Sequence, residues 1–213
     1  MVHIMSNASG AESILDQASQ RERSYDWLEA VESYKKALDM FSVQDPFRVG
    51  DIYERTGHAF CHAAMQAEEP SEFRERMSQA IAGWERAKES YGRLGEIEKG
   101  RAVRCDAMIT YSRSWLTSEA SEKKKLLDES WRLTKECLSA FDKAEDLLEY
   151  GRTYNRLLAG SLYGFLLEWD YNARLTRMKE AAEHGERAIS FLSALGGPEL
   201  VKAYIGTGVC EAA

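Results

Sequence analysis

The segment GHAFCHAA, residues 57–64, is the one cluster in the sequence with the character of a metal site. His58 and His62 are four residues apart and so share one face of a helix, with Cys61 beside them. Two imidazoles at this spacing can bind one metal ion, but a zinc site needs further ligands. Neither a second His/Cys pair nor an HExxH motif lies nearby in sequence. We therefore expect no metal site, with Cys61 packed and the histidines lining a surface.

Enzyme signatures are missing from the rest of the sequence. GEIEKGR, residues 95–101, lacks the Gly-Lys-Ser/Thr end of a phosphate-binding loop, and there is no GxSxG motif. We expect a protein that is not an enzyme and has no catalytic residues and no cofactor. The tryptophans fall at helical core spacings, which predicts packing rather than a ligand cage; they are Trp27, Trp84, Trp115, Trp131 and Trp169.

The elements that must position these residues are helices. Of the 213 residues, 44% are apolar and 30% are charged, as in folded proteins. There are only three prolines, hairpin signals are missing, and Ala, Leu, Glu, Lys, Arg and Met, which favour helices, dominate. The composition predicts an all-α fold.

Charge and targeting features limit the partners. The net charge of -7 and the pI near 5.3 disfavour nucleic acid, and the basic run at 123–125 lies among acidic residues. No apolar run reaches the roughly 20 residues of a membrane span, and the N-terminus lacks signal-peptide regions. The four cysteines form no CxxC pair, which is typical of reduced thiols. We expect a cytoplasmic protein that does not bind nucleic acid and is not an integral membrane protein.

A repeat of about 50 residues organises the chain. In YDWLEAVESYKKAL, residues 25–38, small Ala30 and Ala37 flank Tyr34. Shifting these three positions along the chain finds Ala80, Trp84 and Ala87, then Ser130, Thr134 and Cys137, then Ala181, Gly185 and Ala188. Small residues recur at the first and last positions, which indicates repeated packing helices rather than a bundle with chance periodicity.

Glycines form a second landmark with nearly the same spacing. They are Gly50, Gly100, Gly151 and Gly197. Each opens a helical pattern, and turns between helices often need the positive φ that glycine allows. We therefore expect these glycines in the turns.

Together the two landmarks predict a unit of two antiparallel helices, A and B. We expect A helices near 8–22, 46–67, 96–117, 146–169 and 198–212, and B helices near 25–43, 71–92, 121–143 and 173–195. One pair cannot bury its own apolar face, so neighbouring pairs must stack. The prediction is one domain over residues 1–213, with repeats near 8–43, 46–92, 96–143 and 146–195 and a final helix at 198–212.

The stretch AVESYKKAL resembles the B helix of a tetratricopeptide repeat, in which Ala30, Tyr34 and Ala37 would be the signature packing positions. YERTGHAFCHAA resembles the A helix, with Gly57 at its small position. The unit is longer than the 34 residues of that family. In this respect, and in GHAFCHAA, the chain resembles the soluble NSF attachment proteins. The resemblance implies a right-handed α-solenoid of about nine helices.

In such a solenoid the A helices line the concave face, and residues four apart share it. The expected binding positions are polar, aromatic or Met, and suit a peptide or helix of a partner protein. They are Glu54, His58, His62, Arg101, Arg104, Met108, Tyr111, Asn155 and Tyr163.

The function that these features favour is a non-catalytic protein-interaction scaffold. Two alternatives stay open: a regulatory or sensor domain of a larger protein, since the chain ends inside a helical pattern, and an adaptor for an ATPase, as the attachment-protein resemblance implies. Exposed apolar surface on the final helix would also favour a homodimer, because a terminal repeat without a polar outer face needs a cover.

Overall fold

A computed structural model describes residues 2–41, 45–141 and 147–212 of the chain. Within these ranges the regular elements are nine α-helices and one 3-10 turn, Gly95–Glu98, and there is no strand. The helices are α1 (Val2–Arg23), α2 (Trp27–Met40), α3 (Pro46–Met65), α4 (Pro70–Gly92), α5 (Lys99–Leu116), α6 (Ala120–Ala140), α7 (Leu147–Leu167), α8 (Tyr171–Leu192) and α9 (Pro198–Ala212). The all-α prediction is confirmed for this part of the chain.

Local signals explain where the helices begin. Pro46, Pro70 and Pro198 each occupy the first position of a helix, where a missing N–H costs nothing. The side chain of Asp45 caps α3 by accepting from the Arg48 amide at 3.0 Å. Predicted and observed ends agree within about three residues, except that α1 begins at Val2; the predicted ends at 43, 143 and 146 lie outside the described residues.

The chain divides into two compact units, unit 1 (Met1–Leu126) and unit 2 (Leu127–Ala213), with the boundary inside α6. In unit 1 each helix from α1 to α4 packs on the next in sequence. In unit 2, α7, α8 and α9 pack on one another. The prediction of a single domain stays a prediction.

The repeated positions of the B helices are buried. This holds for the small residues at the first position, the residues at the middle position and the small residues at the last position. The pattern that begins with Ala30, Tyr34 and Ala37 therefore marks the packed side of α2, α4, α6 and α8. The described fold is all-helical and repeat-like.

The expectation for the glycines is wrong at three of the four positions. Gly50, Gly100 and Gly151 lie inside α3, α5 and α7, and only Gly197 has a positive φ, at 86°. A Cβ on Gly50 would lie 2.8 Å from the Tyr91 ring, and one on Gly151 would overlap Leu192. Glycine is therefore required at positions 50 and 151 because a large side chain of a B helix packs closely against the backbone there.

A similar approach joins α3 to α4 at their middle. A Cβ on Gly83 of α4 would lie 3.0 Å from the Gly57 Cα and 3.2 Å from the Tyr53 carbonyl oxygen of α3. Backbone atoms cannot move aside as a side chain can, so any larger residue would separate the two helices. The pair of glycines holds α3 and α4 at short distance.

Two other expectations have mixed outcomes. Trp84 is fully buried, but Trp169 is 97% exposed because α7 ends at Leu167 and leaves Trp169 in the turn. Of the four cysteines, Cys105 and Cys137 are buried, and Cys61 and Cys210 are half-buried. Among the described helices, none is long and apolar enough to cross a membrane.

Candidate functional site

A buried ion pair joins two A helices of unit 1. Glu54 on α3 is 5% exposed and Arg104 on α5 is 6% exposed. Arg104 donates from Nε to Oε1 of Glu54 at 2.6 Å and from Nη2 to Oε2 at 2.8 Å. The Tyr91 hydroxyl, from α4, donates to Oε2 of Glu54 at 3.0 Å. Three successive helices thus meet at one carboxylate.

The electrostatics of this group follow from its burial and its partners. Burial by itself would raise the pKa of Glu54, but Arg104 and hydrogen bonds from Arg104 and His58 hold that pKa well below its ordinary 4.5. Burial, together with the Glu54 charge, raises the pKa of Tyr91. Glu54 is therefore ionised and Tyr91 neutral at physiological pH, which are the states that their hydrogen bond requires.

Partly exposed side chains surround the pair. His58 lies with Nε2 3.8 Å from Oε1 of Glu54 and meets the Trp84 ring edge-on at 5.4 Å. Phe47 lies at the start of α3, 37% exposed, with its ring 6.3 Å from that of Tyr91. These rings give the buried charges an aromatic border that solvent reaches.

Arg101 completes that border from α5. Its guanidinium lies 5.2 Å from the centre of the Phe47 ring, and its Nε is 2.9 Å from Oε2 of Glu98. Both side chains of this ion pair are 16% exposed. The border therefore offers an aromatic ring, a cation fixed by two neighbours and an imidazole.

The two histidines of the predicted surface contact different aromatic residues. His62 is exposed and stacks on Trp27 of α2, with ring centres 4.3 Å apart and planes 18° apart. His58 instead contacts Trp84. Over the described residues, no group of three or more His, Cys, Asp or Glu side chains is arranged to hold a metal ion.

The remaining predicted residues of α5 are less accessible. Met108 is buried, and Tyr111 is half-buried with its ring 6.1 Å from that of Trp115. Arg104, Met108 and Glu54 thus contribute to packing at this face. The accessible members of the predicted set in unit 1 are His58, His62, Arg101 and Tyr111.

In unit 2, the predicted binding residue Asn155 links α7 to α9 by hydrogen bonds. Asn155 of α7 donates from Nδ2 to the Glu199 carbonyl oxygen at 2.8 Å and to Oε2 of Glu199 at 3.1 Å. Burial opposes ionisation of Glu199, but Lys202 and the hydrogen bonds from Lys202 and Asn155 lower its pKa. Tyr163 is half-buried further along α7. Asn155 therefore acts as a bridge between A helices.

Phe47, Tyr91 and Glu98 belong to the site and were missed by sequence reasoning. One signal could have pointed to the pair itself: Glu54 and Arg104 are 50 residues apart, one repeat length, and carry opposite charges. Residues at equivalent positions of stacked repeats are expected to meet. No family model matches the chain, and no curated protein matches it either.

Proposed function

We propose that this chain is a non-catalytic interaction scaffold that binds a peptide or helix of a partner protein on the A-helix face of unit 1. The observation that carries the proposal is the Glu54–Arg104 pair, which joins equivalent positions of α3 and α5. The proposal includes a tetratricopeptide-like arrangement, continued along the chain as a right-handed solenoid. Contact between equivalent A-helix positions supports stacked repeats.

The chemistry around the pair supports a binding role. A buried ion pair contributes little net stability compared with apolar side chains of the same volume, so its value lies in fixing geometry. Here it holds α3 and α5 in one register beneath Phe47, His58 and Arg101. Side chains that are fixed before binding lose little entropy when a partner binds. The aromatic ring suits an apolar side chain, and the cation and imidazole suit carbonyl or carboxylate groups of a peptide.

The test is a variant in which Phe47, His58 and Arg101 are changed to Ala. Immobilised wild-type chain and variant are incubated with extract of the source cell, and retained proteins are quantified by mass spectrometry. The strongest partner is then purified and its affinity measured by calorimetry. We expect at least about tenfold weaker binding, which corresponds to about 1.4 kcal/mol. A partner that is a disassembly ATPase would favour the adaptor alternative.

The matched control changes three exposed residues elsewhere in unit 1, Leu28, Arg74 and Gln79, to Ala. It should bind like the wild type. Arg104 is left intact in both variants because its loss would leave Glu54 buried without its cation and destabilise unit 1. Equal affinity of the site variant and the control, with equal unfolding midpoints, would show that this face does not bind the partner.

A further inference from the structure

The outer face of α9 carries a continuous apolar stripe. Val201, Tyr204, Ile205 and Val209 are each half exposed or more, and their spacing places them on one side of the helix. The other side is packed within unit 2, where Ala203 and Thr207 are buried. Exposed apolar side chains that form one patch, rather than being scattered singly, mark an interaction surface.

The stripe itself carries no charge. Among the described side chains of α9, the charged ones are Glu199 and Lys202, which pair with each other at 3.0 Å. The chain as a whole has a net charge of -7, so most surfaces of two copies repel each other. An uncharged stripe is a surface through which two copies can meet without like charges in direct opposition.

Gly208 gives the stripe a notch. It lies in the interior of α9, and a Cβ added to it would meet no atom of the described residues within 4 Å. An exposed glycine at such a position weakens a helix, and here it gains nothing from packing against the described residues. Close approach by a side chain from another molecule would account for it. Ile205, three residues earlier and 64% exposed, is a side chain of the right kind.

We propose that α9 pairs in antiparallel orientation with α9 of a second copy, forming a twofold-symmetric dimer. In this arrangement Ile205 of each copy lies over Gly208 of the other, and Tyr204 lies beside Val209. A twofold interface must be self-complementary, and this stripe contains both the projecting residue and the notch that receives it. The proposal does not depend on the function proposed for unit 1.

The size of the stripe sets the expected strength. A standard stable interface buries about 800 Å² on each partner, and four partly exposed side chains supply only part of that. We therefore expect a reversible dimer with a dissociation constant near the micromolar range. The fraction of dimer should therefore rise with protein concentration.

The experiment is sedimentation equilibrium of the full chain over a wide range of concentrations. The average mass should rise from 24.1 kDa towards twice that value as concentration increases. Ile205→Glu should raise the dissociation constant at least about tenfold, because it places a charge in an apolar contact. Leu175→Glu is the matched control: Leu175 lies on α8 of the same unit, is 43% exposed, and should leave the mass curve unchanged.

Gly208→Leu distinguishes the fitted interface from general stickiness. A larger apolar side chain would strengthen nonspecific association, but it fills the notch and should weaken the proposed dimer. A wild-type chain that stays at 24.1 kDa at every concentration would overturn the proposal. So would Ile205→Glu dimers of unchanged affinity, or tighter association of Gly208→Leu. Circular dichroism of each variant checks that its helices are intact.

Discussion

Among the described residues, Tyr25 is the one non-glycine residue that has a positive φ angle, 63°. It follows α1 where the Tyr25 amide donates to the Glu22 carbonyl oxygen at 3.1 Å and the Asp26 amide donates to that of Arg21 at 2.9 Å. This is the hydrogen-bond pattern of a helix end at which glycine is usual. Tyr25 is 70% exposed, and its ring meets that of Trp27 edge-on at 6.0 Å. The backbone conformation is thus unfavourable for the residue that adopts it.

We expect Tyr25→Gly to raise the free energy of unfolding by about 1 kcal/mol, since left-handed backbone costs a residue with Cβ roughly 1–2 kcal/mol. Urea unfolding followed by circular dichroism measures the change. Tyr25→Ala is the control, because it removes the ring but keeps Cβ and should gain nothing. If both variants have the same stability, backbone strain at this position has no measurable cost.

Residue roles were the least predictable feature of the sequence. A spacing of four residues places Glu54, His58 and His62 on one helical face, but it does not say where along that face the next A helix makes contact. That depends on how α5 lies against α3, which is tertiary information. Trp169 illustrates the same limit. Its spacing predicted a core position on a helix, but α7 ends at Leu167, two residues before it.

At the scale of elements, the Glu54–Arg104 pair determines how firmly α3 and α5 are joined. The lowered pKa of Glu54 means that the pair stabilises the fold at pH values above the ordinary 4.5. This contribution is lost as the pH falls through the lowered pKa of the folded state. We expect the free energy of unfolding to decrease with acid in that window, below pH 4.5.

Two variants isolate the pair from the other carboxylates in urea titrations between pH 7 and pH 3. Arg104→Met leaves Glu54 buried without its guanidinium partner, and should cost about 3–5 kcal/mol at pH 7. Glu54→Leu combined with Arg104→Met replaces both charges by apolar groups and should recover most of that loss. The double variant should also show a shallower decrease in acid than the wild type. An unchanged acid slope would mean that Glu54 does not titrate with folding.

The helices themselves were largely predictable. Pro46, Pro70 and Pro198 marked their helix starts, and the repeated small residues marked the packed side of each B helix. The glycine spacing was visible too, but its cause was not. Sequence spacing cannot distinguish a turn from a close approach, which requires knowing that the Tyr91 ring lies over Gly50.

At the scale of the whole molecule, the two units differ in the size of their buried side chains. Among the largest fully buried residues of the described chain, unit 1 holds Trp84, Tyr34 and Tyr91, whereas unit 2 holds Leu157 and Leu192. Burial of apolar area is the main stabilising contribution in folding. The free energy of local opening in a region depends on how much buried apolar area that region exposes when it opens. Unit 2 should therefore open more easily than unit 1.

Hydrogen exchange measured by mass spectrometry at neutral pH tests this difference. We expect amides in the middle of α3 and α4 to exchange at least about tenfold more slowly than those of α8, since each 1.4 kcal/mol of opening free energy changes the exchange rate tenfold. Ile205→Glu serves as the monomeric background, because pairing through α9 would protect unit 2 by mass action. In this variant, equal protection of α4 and α8 would mean that both units open in a single cooperative step, with the larger core of unit 1 stabilising the whole chain.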